Sequence, residues 1–404
     1  MRNCLLIALV ALAALPPIAL TGPQDRTRYE LTRHVASHGT IRLEPGLFDR
    51  SVYNGHTYAD KAPGLSFAAI PAFELERATG IAKAPADWHS EGDASLWLMR
   101  VLSSGVLFIV GVMIVLRLAG PFAAAAFGVA TLAAPLAPTF FEHDAAGALA
   151  IGAFALLRRN LFLAGLCAGL AVCVSYQTAL IALVLLVGVA WRWRRDALLF
   201  VAGLVPPAVA LGTYDQIAFG SPLHLSYRYV ANRFTERQHA GFFGIGYPTL
   251  HGVVDVLVGS RGLFVWSPVC AAAVVGLVIG RRWTPLVIVG LFVLVDAGYF
   301  LPYGGGSPGP RFLGAALPFL ALGLPAAVER FRLPTLGLAF VSAVTMTVQA
   351  LSWGVRSEHD TAYLPGKNDV MATIWSIAGL NRDTAALLVL LCALAAVAVG
   401  ARER

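Results

Sequence analysis

Residues 144–195 read DAAGALAIGAFALLRRNLFLAGLCAGLAVCVSYQTALIALVLLVGVAWRWRR. Apolar runs end here on Arg158-Arg159 and again on Arg192, Arg194 and Arg195. The pattern recurs along the chain, where Arg117, Arg281-Arg282, Arg330/Arg332 and Arg402/Arg404 each follow an apolar stretch. Long polar loops fall between these clusters. In lipid every backbone polar group needs an internal partner, so such runs read as membrane helices. Arginine is retained on the cytoplasmic side, which gives the helices a direction.

Composition agrees. Of 404 residues, 57% are hydrophobic and only 13% charged, and the mean hydropathy is +0.70. This is the balance of a membrane protein. The net charge of +7 needs no nucleic-acid partner, because the arginines sit at helix ends. Cys4, Cys167, Cys173, Cys270 and Cys392 lie mostly in apolar runs and read as small buried residues without disulfides or metal. Residues 1–20 could be a cleaved signal peptide or a first membrane helix, and a retained helix is the favoured reading.

Hydropathy alone predicts about twelve transmembrane helices (range 11–13) in an all-α polytopic bundle. The expected spans are 4–20, 95–116, 121–138, 144–157, 161–173, 175–190, 197–217, 262–279, 284–301, 309–327, 334–352 and 384–401. The stretch 161–190 reads either as two short helices or as one long tilted one. Twelve spans put both termini and every arginine-rich loop in the cytoplasm. Loops 21–94, 218–261 and 354–383 then lie outside, with a short loop at 302–308. The cytoplasmic loops are too short for a nucleotide-binding domain and carry no Walker or Rossmann glycine motif, which excludes a transporter driven by its own ATPase domain. The expected division is a transmembrane module at 1–330, with its outer loops, and a C-terminal hairpin at 331–404.

The polar residues gather in the outer loops. Asp25 follows the first apolar run and could cap a helix over about Thr27 to His38. Asn54-Gly55 is a hairpin turn signal. Asp60-Lys61 precedes Pro63-Gly64 and a short apolar run, Leu65 to Phe73, which reads as an interfacial amphipathic helix. Lys61 there can neutralise a lipid phosphate or merely snorkel. Glu142-His143-Asp144 sits at the rim of a span, where ionisable residues favour function over packing. Asp215, Asp255 and Asp296 lie at or near helix ends, and Asp296 either lines a cavity or is a buried hydrogen-bonded carboxyl. Loop 218–261 mixes aromatics and arginines, including Tyr227 and Arg233. Gly304-Gly305-Gly306 lets a backbone approach a ligand closely. Arg311 follows it, at a depth where a cation needs a partner, water or phosphate.

On these residues the chain resembles the GT-C class of polytopic glycosyltransferases, especially the branch of protein mannosyltransferases and the lipid A aminoarabinose transferase. The likeness rests on Gln24-Asp25…Tyr29, on Tyr53-Asn54-Gly55…Tyr58-Ala59-Asp60-Lys61-Ala62-Pro63, on Phe141-Glu142-His143, and on Gly305-Gly306-Ser307…Pro310-Arg311. Gly259-Ser260-Arg261-Gly262 adds to it, and together the segments cover residues 1 to about 330 in the expected order. The resemblance implies transfer of a sugar from a polyprenyl-phosphate donor to a glycan, lipid or protein acceptor outside a bacterial inner membrane, with inversion. It implies Asp25 as general base and Lys61, Arg311, Arg261 and Tyr58 as donor-binding residues. Asp60, Glu142, His143, Asp144 and Tyr303 would support the site or bind acceptor. The acids leave room for a divalent cation, Mg or Mn, though no spacing demands one. Arg26 stands where many members carry a second acid, and Ala62 replaces the first proline of an Asp-Lys-Pro-Pro motif. The chain is also short for the class, which leaves loops 21–94 and 218–261 to bind the acceptor. Two other classes remain open: a transporter or flippase for a lipid-linked saccharide, and a non-catalytic lipid-binding protein of the same architecture.

Overall fold

A computed structural model describes residues 1–19, 21–80, 94–352 and 370–402. Most of loop 354–383 and the end of loop 21–94 lie outside the described residues. Among the described residues the protein is helical apart from one two-stranded hairpin. Helix α1 (Arg2–Ala14) is followed by the juxtamembrane helix α2 (Pro23–His38). The hairpin pairs β1 (Arg50–Tyr53) with β2 (His56–Ala59), Ser51 opposite Tyr58. Its turn is the Asn54-Gly55 expected from sequence, both residues at positive φ (48° and 77°), as the right-handed twist of a hairpin requires.

The expectation of about twelve spans is overturned. Among the described residues five helices are long and apolar enough to cross a membrane: Trp97–Ala130, Arg194–Phe219, Arg311–Arg330, Arg332–Ser352 and Arg382–Ala401. The number reaches six if Leu250–Trp266 and Val269–Ile279, bent by 102° at Ser267-Pro268, count as one. The discrepancy has local causes. The predicted spans 95–116 and 121–138 share one helical segment, kinked where Gly120 adopts φ 83° before Pro121, and that segment ends at Thr131. The first apolar run stops helically at Ala14, before Pro16-Pro17. The run 161–190 is two helices split by extended backbone at Ser175 (φ −148°, ψ 116°). His143–Leu156 and Leu161–Val174 have 14 residues each and Trp283–Gly298 has 16, below the roughly 20 that span a hydrocarbon core. Hydropathy sees apolar content but not these breaks.

The charge pattern survives the change in count. The helix from Ala179 begins beside a cavity lined by residues of the outer loops and ends near Arg192. The helix Trp283–Gly298 starts after Arg281-Arg282 and delivers Val295 and Tyr299 to the same cavity. The segment from Arg311 to Arg330 runs from the cavity to the cluster Arg330/Arg332. Arg158, Arg159 and Arg192 meet at a separate surface recess. Cavity and arginine clusters therefore occupy opposite ends of the same helices.

Small residues let these helices touch backbone to backbone. A Cβ on Gly165 would stand 1.9 Å from the Phe200 carbonyl oxygen, and one on Gly203 would stand 2.0 Å from that of Phe162. A second contact of this kind joins Gly276 to Gly323, 1.9 Å by the same measure. In lipid, association relies on such close packing rather than on water exclusion. Gly203→Ala has to push Leu161–Val174 away from Ala197–Phe219, and overpacking of this kind costs about 1–3 kcal/mol. Thermal unfolding in detergent should show a lower midpoint for Gly203→Ala and an unchanged one for Gly188→Ala, whose Cβ meets nothing within 4 Å.

Candidate active site

Pro23 opens α2 and Gly22 precedes it in extended conformation; proline's fixed φ suits a first helical turn. The helix thus starts before Thr27, and Asp25 lies inside its first turn. One Asp25 carboxylate oxygen accepts from the Gly22 N–H at 3.0 Å. The other accepts from the Phe140 N–H at 3.0 Å and pairs with Arg100 at 3.1 Å. Arg100 is fully buried and also donates to the Ala19 carbonyl (2.7 Å) and the Thr21 hydroxyl (3.2 Å). One turn along α2, Arg28 donates to Gln24 at 3.1 Å and forms a buried ion pair with Glu142. Burial pushes the Glu142 carboxyl up, but Arg28 and then His143 outweigh it and hold it well below the usual range. Two ion pairs thus fasten α2 to the bundle.

Beside α2 lies a cavity of about 630 Å³. Of the residues singled out in the sequence, it brings together Asp25, Asp60, Lys61 and Arg311. Lys61 donates to Asp60 at 2.5 Å and lies over the Tyr227 ring, 5.9 Å from its centre. Burial lowers the affinity of the amine for its proton, but Asp60 and Asp49 more than compensate, so the ammonium is held above its usual range. Arg311 reaches the same cavity from the start of its helical segment, its guanidinium 4.6 Å from the centre of the Phe141 ring and 5.5 Å from that of Phe312. A Cβ on Gly304 would stand 2.5 Å from Arg311 Nε, and Gly304 adopts φ 74°. Glycine at 304 is therefore needed on both counts. The Arg311 Nε finds no acceptor.

The remaining expected residues stand back from the cavity. Arg261 donates to the carbonyls of Gly305 (3.0 Å) and Ser307 (3.2 Å) and stacks on Tyr303, 4.8 Å to the ring centre. It braces the glycine loop from behind. Tyr58 packs on Phe219 with ring centres 5.4 Å apart. His143 and Asp144 are buried without hydrogen-bond partners, His143 against the edge of Phe312. Glu142 is committed to Arg28. No group of three or more His, Cys, Asp or Glu among the described residues could hold a metal ion.

Sequence reasoning passed over Asp49, Arg100, Gln238 and Tyr299. Asp49, Gln238 and Tyr299 line the cavity, and Tyr299 donates to Gln238 at 3.0 Å. Arg100 had a readable signal, a charge inside an apolar run. Asp49 had none, because Asp49-Arg50 looks like any loop.

No protein-family model matches the chain, and no curated protein matches it. Two crystal structures of ArnT from Cupriavidus metallidurans are similar in fold. The one bound to undecaprenyl phosphate gives a TM-score of 0.56 at 16% identity, over 98% of this chain and 75% of that one. The apo form gives 0.53 at 16% identity, over 99% and 76%. At this identity the likeness shows a shared fold.

Removing one partner of a buried ion pair leaves the other charge uncompensated, at a cost of about 3–5 kcal/mol. Arg100→Met strands the Asp25 carboxylate, buried to 2% exposure. Its unfolding midpoint in detergent should drop markedly and recover when Asp25→Leu is added. An unchanged midpoint for Arg100→Met would show that the pair does not anchor α2.

Proposed function

We propose that the chain is a glycosyltransferase that takes a sugar from a polyprenyl-phosphate donor and passes it to an acceptor outside the cytoplasmic membrane of a bacterium. The reading rests on one observation above all. Three cations, Lys61, Arg233 and Arg311, line a single cavity at the helix ends opposite the arginine clusters, and Lys61 and Arg311 are the two singled out for the donor phosphate. The shared fold with a protein crystallised with undecaprenyl phosphate supports it.

The geometry suits the chemistry. The cavity wall continues along Ala179, Leu180 and Leu183, and Leu183 is 56% exposed on the outer surface of the bundle. A prenyl tail would follow this apolar side while its phosphate meets Lys61 and Arg311. Transfer breaks the bond between the anomeric carbon and a phosphate oxygen, and negative charge grows on the departing lipid phosphate. Preorganised cations in a site with little water stabilise that charge strongly. Lys61 keeps its proton under these conditions, and Arg311 rests on two aromatic faces rather than on a carboxylate. A carboxylate on the acceptor side takes the hydroxyl proton, and a single displacement inverts the anomeric centre. The acceptor is a glycan, lipid or protein reached from loops 21–94 and 218–261.

The engagement of Asp25 by Arg100 favours a second reading, in which the same cavity binds a lipid-linked sugar without transferring it. Purified protein in lipid, given labelled polyprenyl-phosphate sugars and a cell-envelope extract, separates the two. Transfer should occur from at least one donor, and Lys61→Ala and Arg311→Ala should each lower kcat by roughly 10²–10³-fold. Specific donor binding without transfer would establish the binding protein. Neither binding nor transfer would sink both readings.

A further inference from the structure

We propose that Asp49, rather than Asp25, is the catalytic base that deprotonates the acceptor hydroxyl. The assignment rests on the glycosyltransferase reading above and follows from how the cavity acids are occupied.

Three carboxylates line the cavity from the first loop. Asp25 accepts two backbone N–H bonds and an arginine, which leaves it one acceptor position out of about four. Its 2% exposure shows how little of it the cavity sees. Asp60 is the counter-ion of Lys61. A base drawn from that pair would weaken the clamp on the donor phosphate. Asp49 differs from both. No hydrogen bond or ion pair occupies its carboxylate among the described residues, and the side chain keeps contact with the cavity.

Its backbone is nonetheless fixed. The Asp49 carbonyl accepts from the Thr27 hydroxyl of α2 at 2.7 Å. Arg50, the next residue, starts β1 and turns its guanidinium back to the Leu47 carbonyl. Leu47 itself is buried with Leu31, Leu43 and Ala59. A free carboxylate on a held backbone is what a general base requires, since the reacting geometry must exist before substrate arrives.

The charged groups acting on Asp49 are Lys61 and Asp60 from the loop after β2, Arg311 from the head of its helix, and Arg28 from α2. Burial raises the carboxyl, Asp60 adds to that, and the three cations only partly oppose it, leaving Asp49 at about 6. The group is then mostly ionised at neutral pH and basic enough to accept a proton as the bond forms.

The step balances without a further reactant. Asp49 takes the acceptor proton, and the acceptor oxygen forms its bond to the anomeric carbon. The bond from that carbon to the donor phosphate breaks, and its electron pair leaves on the phosphate oxygen held by Lys61 and Arg311.

The test compares Asp49→Asn, Asp49→Ala and Asp25→Ala with the unmodified protein in lipid, across pH, with donor binding measured separately. Asp49→Asn should keep its fold and donor affinity and lose roughly 10²–10⁴-fold in kcat. The unmodified protein should lose activity as pH falls through about 6, and Asp49→Asn should lack that limb. Formate, a small carboxylate, should partly restore Asp49→Ala and leave Asp25→Ala unrestored. Turnover and pH profile unchanged in Asp49→Asn would overturn the assignment while the glycosyltransferase reading stands. No transfer by the unmodified protein from any donor would overturn the glycosyltransferase reading, and the base with it.

Discussion

The site depends on two arginines buried away from the surface. Arg100 and Arg28 are buried to 0% and 2% exposure, and each needs a carboxylate. Asp25 on α2 satisfies Arg100, and Glu142 at the head of a bundle helix satisfies Arg28. One bond runs from the bundle to the loop and the other from the loop to the bundle, so neither can form unless α2 lies where it does. Everything the first loop contributes is then placed at one remove. Thr27 on the same helix holds the Asp49 carbonyl, and the Thr32 hydroxyl donates to the Ser66 carbonyl just past Lys61. Such pairs add little net stability after desolvation. What they supply is a single position for a polar helix at a membrane surface.

The electrostatics of the cavity follow from the same frame. With Arg28 and Arg100 neutralised behind the wall, the cations left lining the cavity are Lys61, Arg311 and Arg233, the last stacked on Phe48 and Phe234. Lys61 has Asp60 as a close companion. Arg311 has aromatic faces, which attract a cation without removing its capacity for a stronger partner. A dianionic phosphate group offers such a partner. In the proposed reading the cavity lowers the cost of an anion at this depth, and the apolar side at Leu180 and Leu183 takes the hydrocarbon.

Much of this was legible in the chain. Asn54-Gly55 named its turn, Asp60-Lys61 and Gly304-Gly305-Gly306 with Arg311 named one wall of the cavity, and the arginine clusters named the opposite side. What failed was the count of spans. Apolar content predicts burial in lipid or in protein alike, and only backbone breaks such as Gly120-Pro121 and Ser175 decide where a helix stops. Arg100 was readable as a charge in an apolar run but was absorbed into a predicted span. Asp49 could not be read at all. Its distinction is that no hydrogen bond or ion pair holds its carboxylate among the described residues, and such a lack leaves no mark in a sequence.

The two ends of the described chain meet. Arg2 donates to the Arg402 carbonyl at 2.5 Å, and α1 packs along Arg382–Ala401. At the other end of α1, Ile18 donates to the Ala372 carbonyl at 2.9 Å, and Ile374 returns a bond to Pro16 at 2.9 Å. The residues leading into α2 are thus held by residues made some 350 positions later. The segment that leads into α2, and with it the placing of Asp25, therefore depends on partners far along the chain rather than on its sequence neighbours.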